Sequence, residues 1–162
     1  MRHTISLVVE NKLGAASRIF GLFSSRGFNL ESISVGESEE KDLYRMTIVT
    51  RGDDAIVEQI TKQLNKLVDV VKVSDLTLED YIERELALLK VSSNSSTRSE
   101  IMQIANVFRA KIVDISPRTL TVEATGTEDK IDAIISMLRP FGLKEVARTG
   151  HVAMKREFQK ER

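Results

Sequence analysis

Apolar positions along this chain switch between two spacings, and the switch occurs in the same order twice. Ile5, Leu7 and Val9 fall at every second position, which predicts a strand with one buried face. Ala16, Ile19, Phe20 and Phe23 then follow at helical spacing. Gly27 suits the end of that helix, because glycine adopts a left-handed conformation cheaply. Strands are predicted over Leu30–Val35 and Leu43–Thr50, separated by the charged turn Glu37–Asp42. Gly52-Asp53-Asp54 opens a second helix, with Asp capping its free N–H groups and Ile56, Ile60, Leu64 and Leu67 on one face. Val68–Leu76 reads as a fourth strand, with Val71 and Val73 alternating against Lys72 and Ser74.

The second half repeats the order. Glu85–Ser92 is a predicted strand, and Thr97-Arg98-Ser99-Glu100 reads as a capping box opening a helix with Ile101, Ile104, Ala105 and Phe108 inward. Lys111–Ile115 and Leu120–Ala124 form a hairpin about Ser116-Pro117-Arg118. Thr127 caps a fourth helix with Ile131, Ile134, Ile135 and Leu138 inward, and Pro140 is expected to end it. Leu143–Thr149 is the last predicted strand. The fold class is therefore α+β: two consecutive ferredoxin-like βαββαβ domains, antiparallel sheets with helices on one face. Residues 1–77 form the first domain and 78–162 the second, joined through Thr77–Glu83, a segment without Gly or Pro. Strand valines and isoleucines are plentiful on both faces, so each sheet is expected to meet something beyond its helices, most simply a second copy of the chain.

A chain of 162 residues buries enough apolar surface to fold without staples, and it has no cysteine for disulfides or thiolate metal sites. Lys plus Arg and Asp plus Glu are equal at 24 each, so no overall field gathers nucleic acid or an anionic membrane. Lys155–Arg162 is mixed in sign and reads as a solvated tail. No apolar run approaches the ~20 residues of a membrane span, and Met1-Arg2-His3-Thr4-Ile5 leads straight into a strand without a signal-peptide pattern. A soluble, cytoplasmic protein is expected.

Catalytic patterns are sparse. His3 and His151 have no metal-spaced partners, and the acidic pairs Glu39-Glu40, Asp53-Asp54 and Glu128-Asp129 sit at turns or helix starts. There is no phosphate-cradling glycine loop. Ser92–Ser96 reads as a polar capping loop. Asn11-Lys12-Leu13-Gly14-Ala15-Ala16-Ser17-Arg18 differs from these. It joins a strand to a helix N-terminus, where about four N–H groups lack partners. Gly14 allows close backbone approach, Ala15 and Ala16 leave space, and Asn11 and Asn29 flank the strand–helix–strand unit. An α-carboxylate suits the helix N-terminus, and an amino group suits the Asn side chains. The pattern points to a sensor of a small zwitterion rather than to an enzyme.

Asn11-x-x-Gly14-Ala15-x-Ser17-Arg18-x-x-Gly21-Leu22-Phe23-Ser24-x-Arg26-Gly27-x-Asn29-x-Glu31-Ser32 closely resembles the regulatory small subunit of acetolactate synthase (acetohydroxyacid synthase). Arg45–Ile48, Gln59–Val70 and Glu83–Leu86 extend the resemblance over essentially the whole chain. The first half is similar to an ACT domain, an amino-acid-sensing module. The resemblance implies a non-catalytic subunit that activates a large catalytic subunit and confers feedback inhibition by valine. It places no cofactor on this chain; thiamine diphosphate, Mg²⁺ and FAD belong to the large subunit. It implies homodimerisation through side-by-side ACT domains, with the effector held by Asn11, Leu13, Gly14 and Ala15 of one chain and Asn29 and Leu30 of the other. The second domain is implied to engage the large subunit. Phe28 stands where that family often has Tyr, and the choice among valine, leucine and isoleucine stays open. A stand-alone ACT-type sensor acting on another partner is the alternative.

Overall fold

The computed structural model of the chain describes residues 1–157. Its elements are β1 (Arg2–Glu10), α1 (Ala15–Ser25), β2 (Ser32–Glu37), β3 (Leu43–Arg51), α2 (Asp54–Asn65), β4 (Val70–Asp75), β5 (Tyr81–Ser92), α3 (Arg98–Val107), β6 (Lys111–Ile115), β7 (Thr119–Gly126), α4 (Glu128–Gly142), β8 (Leu143–Arg148) and β9 (Val152–Lys155). The sheets have the orders β2-β3-β1-β4 and β6-β7-β5-β8, and β9 adds a fifth strand to the second by pairing with β5. Each corresponds to the split βαβ arrangement that the repeat predicts.

Alternation sets the first core. Ile5 lies opposite Ile48 and Leu7 opposite Met46 across the β1–β3 pair, so all four point to the same face. They bury there with Ala15, Ile19 and Phe23 of α1 and Val57, Ile60 and Leu64 of α2. Phe23 meets Phe28 edge-on at 5.9 Å. In the second unit, Ala87, Leu89, Val91, Leu120, Val122 and Ala124 form the sheet side of the core, against Ile101 and Ala105 of α3 and Ile131, Ile134 and Leu138 of α4.

The helix stripes shift in phase from expectation. Ala15 rather than Ala16 is buried, Phe20 is 42% exposed, and Val57 takes the inward place expected of Ile56. The capping assignments also differ. Asp53 does cap α2, accepting from the Ile56 N–H at 2.8 Å. Thr97 and Thr127 make no side-chain cap to their helices. The turn before α3 is tied instead by Asn94, whose Oδ1 accepts from the N–H groups of Ser96 and Thr97 at 2.9 and 3.0 Å. Asn94→Ala is expected to lower stability by about 1 kcal/mol, checked by urea unfolding. Pro140 does not end α4, which continues to Gly142 at φ 98°. Proline removes one backbone bond in the final turn, and the left-handed glycine stops the helix.

The chain forms two compact units, Met1–Ile82 with the residues from His151, and Glu83–Gly150. The division expected at residue 77 places everything downstream in the second half. Gly150 is left-handed at φ 76°, and the strand β9 that follows lies on the opposite face of the first sheet from its helices. There the Ala153 N–H donates to Thr47 Oγ1, and Thr4, Ser6, Thr47 and Ala153 are all buried. The chain's own C-terminal strand thus covers part of a face for which a second copy was expected. Lys155 belongs to β9 and pairs with Glu79, rather than starting a tail; residues 158–162 of the expected tail lie outside the described residues. The joining segment is pinned by Thr77, which accepts from the Thr4 N–H and donates its own N–H to Asp75 Oδ1.

Candidate effector site

The loop between β1 and α1 turns through three backbone bonds. The Asn11 N–H donates to Asp42 O, the Lys12 N–H to Glu10 O, and the Ala15 N–H to Lys12 O. Gly14 is the N-cap of α1 at φ 83°, a conformation that disfavours any residue with a Cβ. No side chain caps α1 and no acid occupies its first turn. The other helices all carry acid there: Asp54 in α2, Glu100 in α3, and Glu128 and Asp129 in α4. Among the described residues, the positive end of α1 is therefore the one without a carboxylate in its first turn.

That end opens onto a pocket of about 360 Å³. Val9, Ala15 and Met46 are its buried floor, while Gly14, Ala16 and Ser17 bring the start of α1 to one side. Val35 of β2 and Tyr44 of β3 stand opposite, and Leu13 is a fully exposed rim. Lys12 pairs with Glu10 at the edge, and that carboxylate holds the ammonium pKa above the usual lysine value. The combination is an apolar hollow with N–H donors at one end. It suits a small molecule with an aliphatic side chain and a carboxylate.

The structure gathers Asn11, Leu13, Gly14 and Ala15 at this pocket and leaves Asn29 and Leu30 away from it. Those two precede β2. Ser32 lies opposite Val49, whereas Glu37 lies opposite Tyr44, so the start of β2 is at the far end of the sheet from the pocket. Ser32 lies three strand positions, about 10 Å, from Val35, the β2 residue that lines the pocket. The Asn29 carbonyl accepts from the Thr50 hydroxyl, and the residue itself is exposed. Ser17, Val35, Tyr44 and Met46 also line the pocket and are not among the effector-binding residues expected from the sequence. Their contribution comes from strands 20 to 35 positions downstream and from one further helix residue, and alternation alone marks Met46 only as core.

The loop at the corresponding place in the second unit is closed. Asn94 satisfies the N–H groups of that turn, and Arg98 bonds Ser93 Oγ at 3.2 Å and Ser116 O at 2.7 Å. It is the polar capping loop that the sequence suggested. His3 is a buried strand residue whose Nδ1 lies 3.7 Å from the Asp75 carboxylate. Among the described residues, no three metal-ligating side chains gather. No helix there is long and apolar enough to cross a membrane.

Residues 5–72 match the family model of the AHAS small subunit-like ACT domain, and residues 84–157 match that of the small subunit of acetolactate synthase. The acetolactate synthase small subunit of Aquifex aeolicus is 53% identical over 158 residues, covering 97% of this chain and 82% of that one. That of Mycolicibacterium smegmatis is 48% identical over 154 residues, covering 95% and 91%. The crystal structure of the acetolactate synthase small subunit from Thermotoga maritima superposes with a TM-score of 0.91 at 43% identity, covering 98% of this chain and 99% of that one. With the fold, the open helix end and these matches in agreement, the chain belongs to the family of acetolactate synthase small subunits, with an ACT domain as its N-terminal part.

Proposed function

We propose that this chain is the non-catalytic regulatory subunit that activates an acetolactate synthase large subunit and makes it sensitive to valine or a related branched-chain amino acid. Thiamine diphosphate, Mg²⁺ and FAD then reside on the large subunit. The observation that carries this reading is the uncapped, acid-free start of α1 facing an apolar hollow. The effector's carboxylate accepts from those N–H groups, and its branched side chain covers Val9, Val35 and Met46. Residues 1–77 sense the amino acid, and residues 78–162 help engage the large subunit.

The complete site takes two chains. β2 is an edge strand with one side unpaired. Antiparallel pairing of two β2 edges about a two-fold axis brings the start of one β2 beside the end of the other. Asn29 and Leu30 of one copy then reach the pocket of its partner, where Asn29 meets the effector's amino group. Val35→Lys, which puts a charge at the exposed edge, is expected to weaken self-association at least tenfold, checked by sedimentation velocity.

The direct test is the melting temperature of the purified chain with each of the twenty amino acids. A ligand at 100 times its Kd stabilises by about 2.7 kcal/mol. A rise confined to the branched-chain amino acids supports the reading. No rise with any of them, for the chain alone or with its large subunit, rejects it.

A further inference from the structure

We propose that Arg18, anchored by Asp69, is the positioning residue of the effector loop, an inference that rests on reading the pocket as an amino-acid site. Asp69 lies in the turn between α2 and β4 and is 5% exposed. A carboxylate so placed needs a partner. Arg18 supplies it: Nε donates to Oδ2 at 2.6 Å, and Nη2 makes a second close contact with the same oxygen. The main-chain oxygen of Asp69 is also engaged, accepting from the Glu10 N–H at 2.8 Å. One residue therefore holds the end of β1 with its backbone and the first turns of α1 with its side chain. The loop Asn11–Gly14 runs between those two attachments.

Arg18 reaches the loop as well. Its N–H donates to Gly14 O at 2.9 Å, and its Nη1 lies 3.1 Å from where a Cβ on Gly14 would stand. The guanidinium rests against the open side of the glycine. Because α1 has no side-chain cap, this ion pair does the fastening that a capping residue does elsewhere, while leaving the N–H groups of Ala16 and Ser17 without a side-chain partner. It also neutralises Asp69. An unpaired carboxylate near that helix end would compete with the effector's own. With Lys12 on Glu10 and Arg18 on Asp69, the four charges around the loop sum to zero.

A purely structural ion pair and a positioning pair respond differently to repair of the buried charge. Arg18→Met leaves Asp69 buried and unpaired, and loss of stability follows from that alone. In the double variant Arg18→Met with Asp69→Asn the buried charge is gone, so the melting temperature recovers towards that of the wild type. Effector affinity, measured by calorimetric titration of L-valine into the complex with the large subunit, is expected to stay at least tenfold weaker. Activation of the large subunit stays within twofold of wild type. Hydrogen exchange at the amides of Leu13–Ser17 is expected to accelerate at least tenfold. Affinity that returns together with stability overturns the proposal. If the wild-type complex binds no branched-chain amino acid, the functional reading fails, and the amide exchange still decides the fastening: acceleration upholds it and unchanged protection overturns it.

Discussion

Gly14→Asp is expected to abolish the valine response while leaving activation of the large subunit intact. The backbone at Gly14 is left-handed, and an L-residue there costs about 1–2 kcal/mol. Its Cβ would sit 3.1 Å from Arg18 Nη1, so the guanidinium must shift as well. The new carboxylate would occupy the positive end of α1, where the effector's carboxylate is read to bind. Loss of two charge-assisted hydrogen bonds removes about 3 kcal/mol or more, a hundredfold or more in Kd. Inhibition curves of the reconstituted enzyme check this, and unaltered valine sensitivity would displace the site from this loop. By linkage, an effector that weakens the active arrangement must itself bind more weakly to that arrangement, so large-subunit engagement and valine affinity shift together in the wild type and separately in this variant.

Arg148→Met is expected to be the most destabilising of the substitutions considered, and it acts far from the effector loop in sequence. In the second unit, Arg148 on β8 grips Glu85 on β5 through two bonds, Nε to Oε1 at 2.7 Å and Nη2 to Oε2 at 2.8 Å. Nη1 adds Asp132 of α4 at 3.0 Å. The Glu85 side chain is 2% exposed, and the two carboxylates raise the Arg148 pKa, with Glu85 as the leading cause. Removing the guanidinium takes the opposite charge and two hydrogen bonds from a buried carboxylate, at a cost of about 3–5 kcal/mol. For a unit of this size that is a fall in Tm of at least roughly 10 °C. Thermal melts at neutral pH check it. A companion Glu85→Gln in the same chain removes the buried charge and is expected to restore more than half of the loss. A fall of only a degree or two in the single variant would show that the Arg148 grip is not what holds the buried carboxylate.

The two-fold repetition of strand, helix, strand, strand, helix, strand was legible because each core depends on a local period. Ile5, Leu7 and Val9 repeat every second residue, and Ile131, Ile134, Ile135 and Leu138 repeat at helical spacing; all seven are buried. The period does not choose between neighbouring alanines, so Ala16 fits the stripe as well as Ala15, and Ala15 is the one buried. Thr97 matched a capping pattern, but Asn94, three residues earlier, offers a side-chain acceptor that holds the turn first. β9 carried no periodic signal. Val152, Ala153 and Met154 become a strand by pairing with β5, and Ala153 also donates to Thr47 Oγ1; both partners are distant in sequence, and no local pattern records that. The site divides in the same way. Asn11, Leu13, Gly14 and Ala15 are contiguous and announce themselves through the glycine and the small residues. Val35, Tyr44 and Met46 enter the pocket only through the register of β2 on β3, and Asp69 only through the tertiary placement of the α2–β4 turn.

If the effector site is shared between two chains, mixed dimers of two disabled variants regain valine binding. Gly14→Asp disables the loop side of each pocket, and Asn29→His disables the side contributed by the partner. Each variant alone should bind no valine. In a heterodimer of the two, both lesions fall in one pocket and the other pocket is wild type on both sides. After the variants are mixed and exchanged to equilibrium, half the dimers are mixed and each carries one intact site, so calorimetric titration should recover about one quarter of the wild-type valine sites. Recovery near that fraction, at wild-type affinity, is the predicted result. No recovery, with heterodimers shown to have formed, would contradict the shared site.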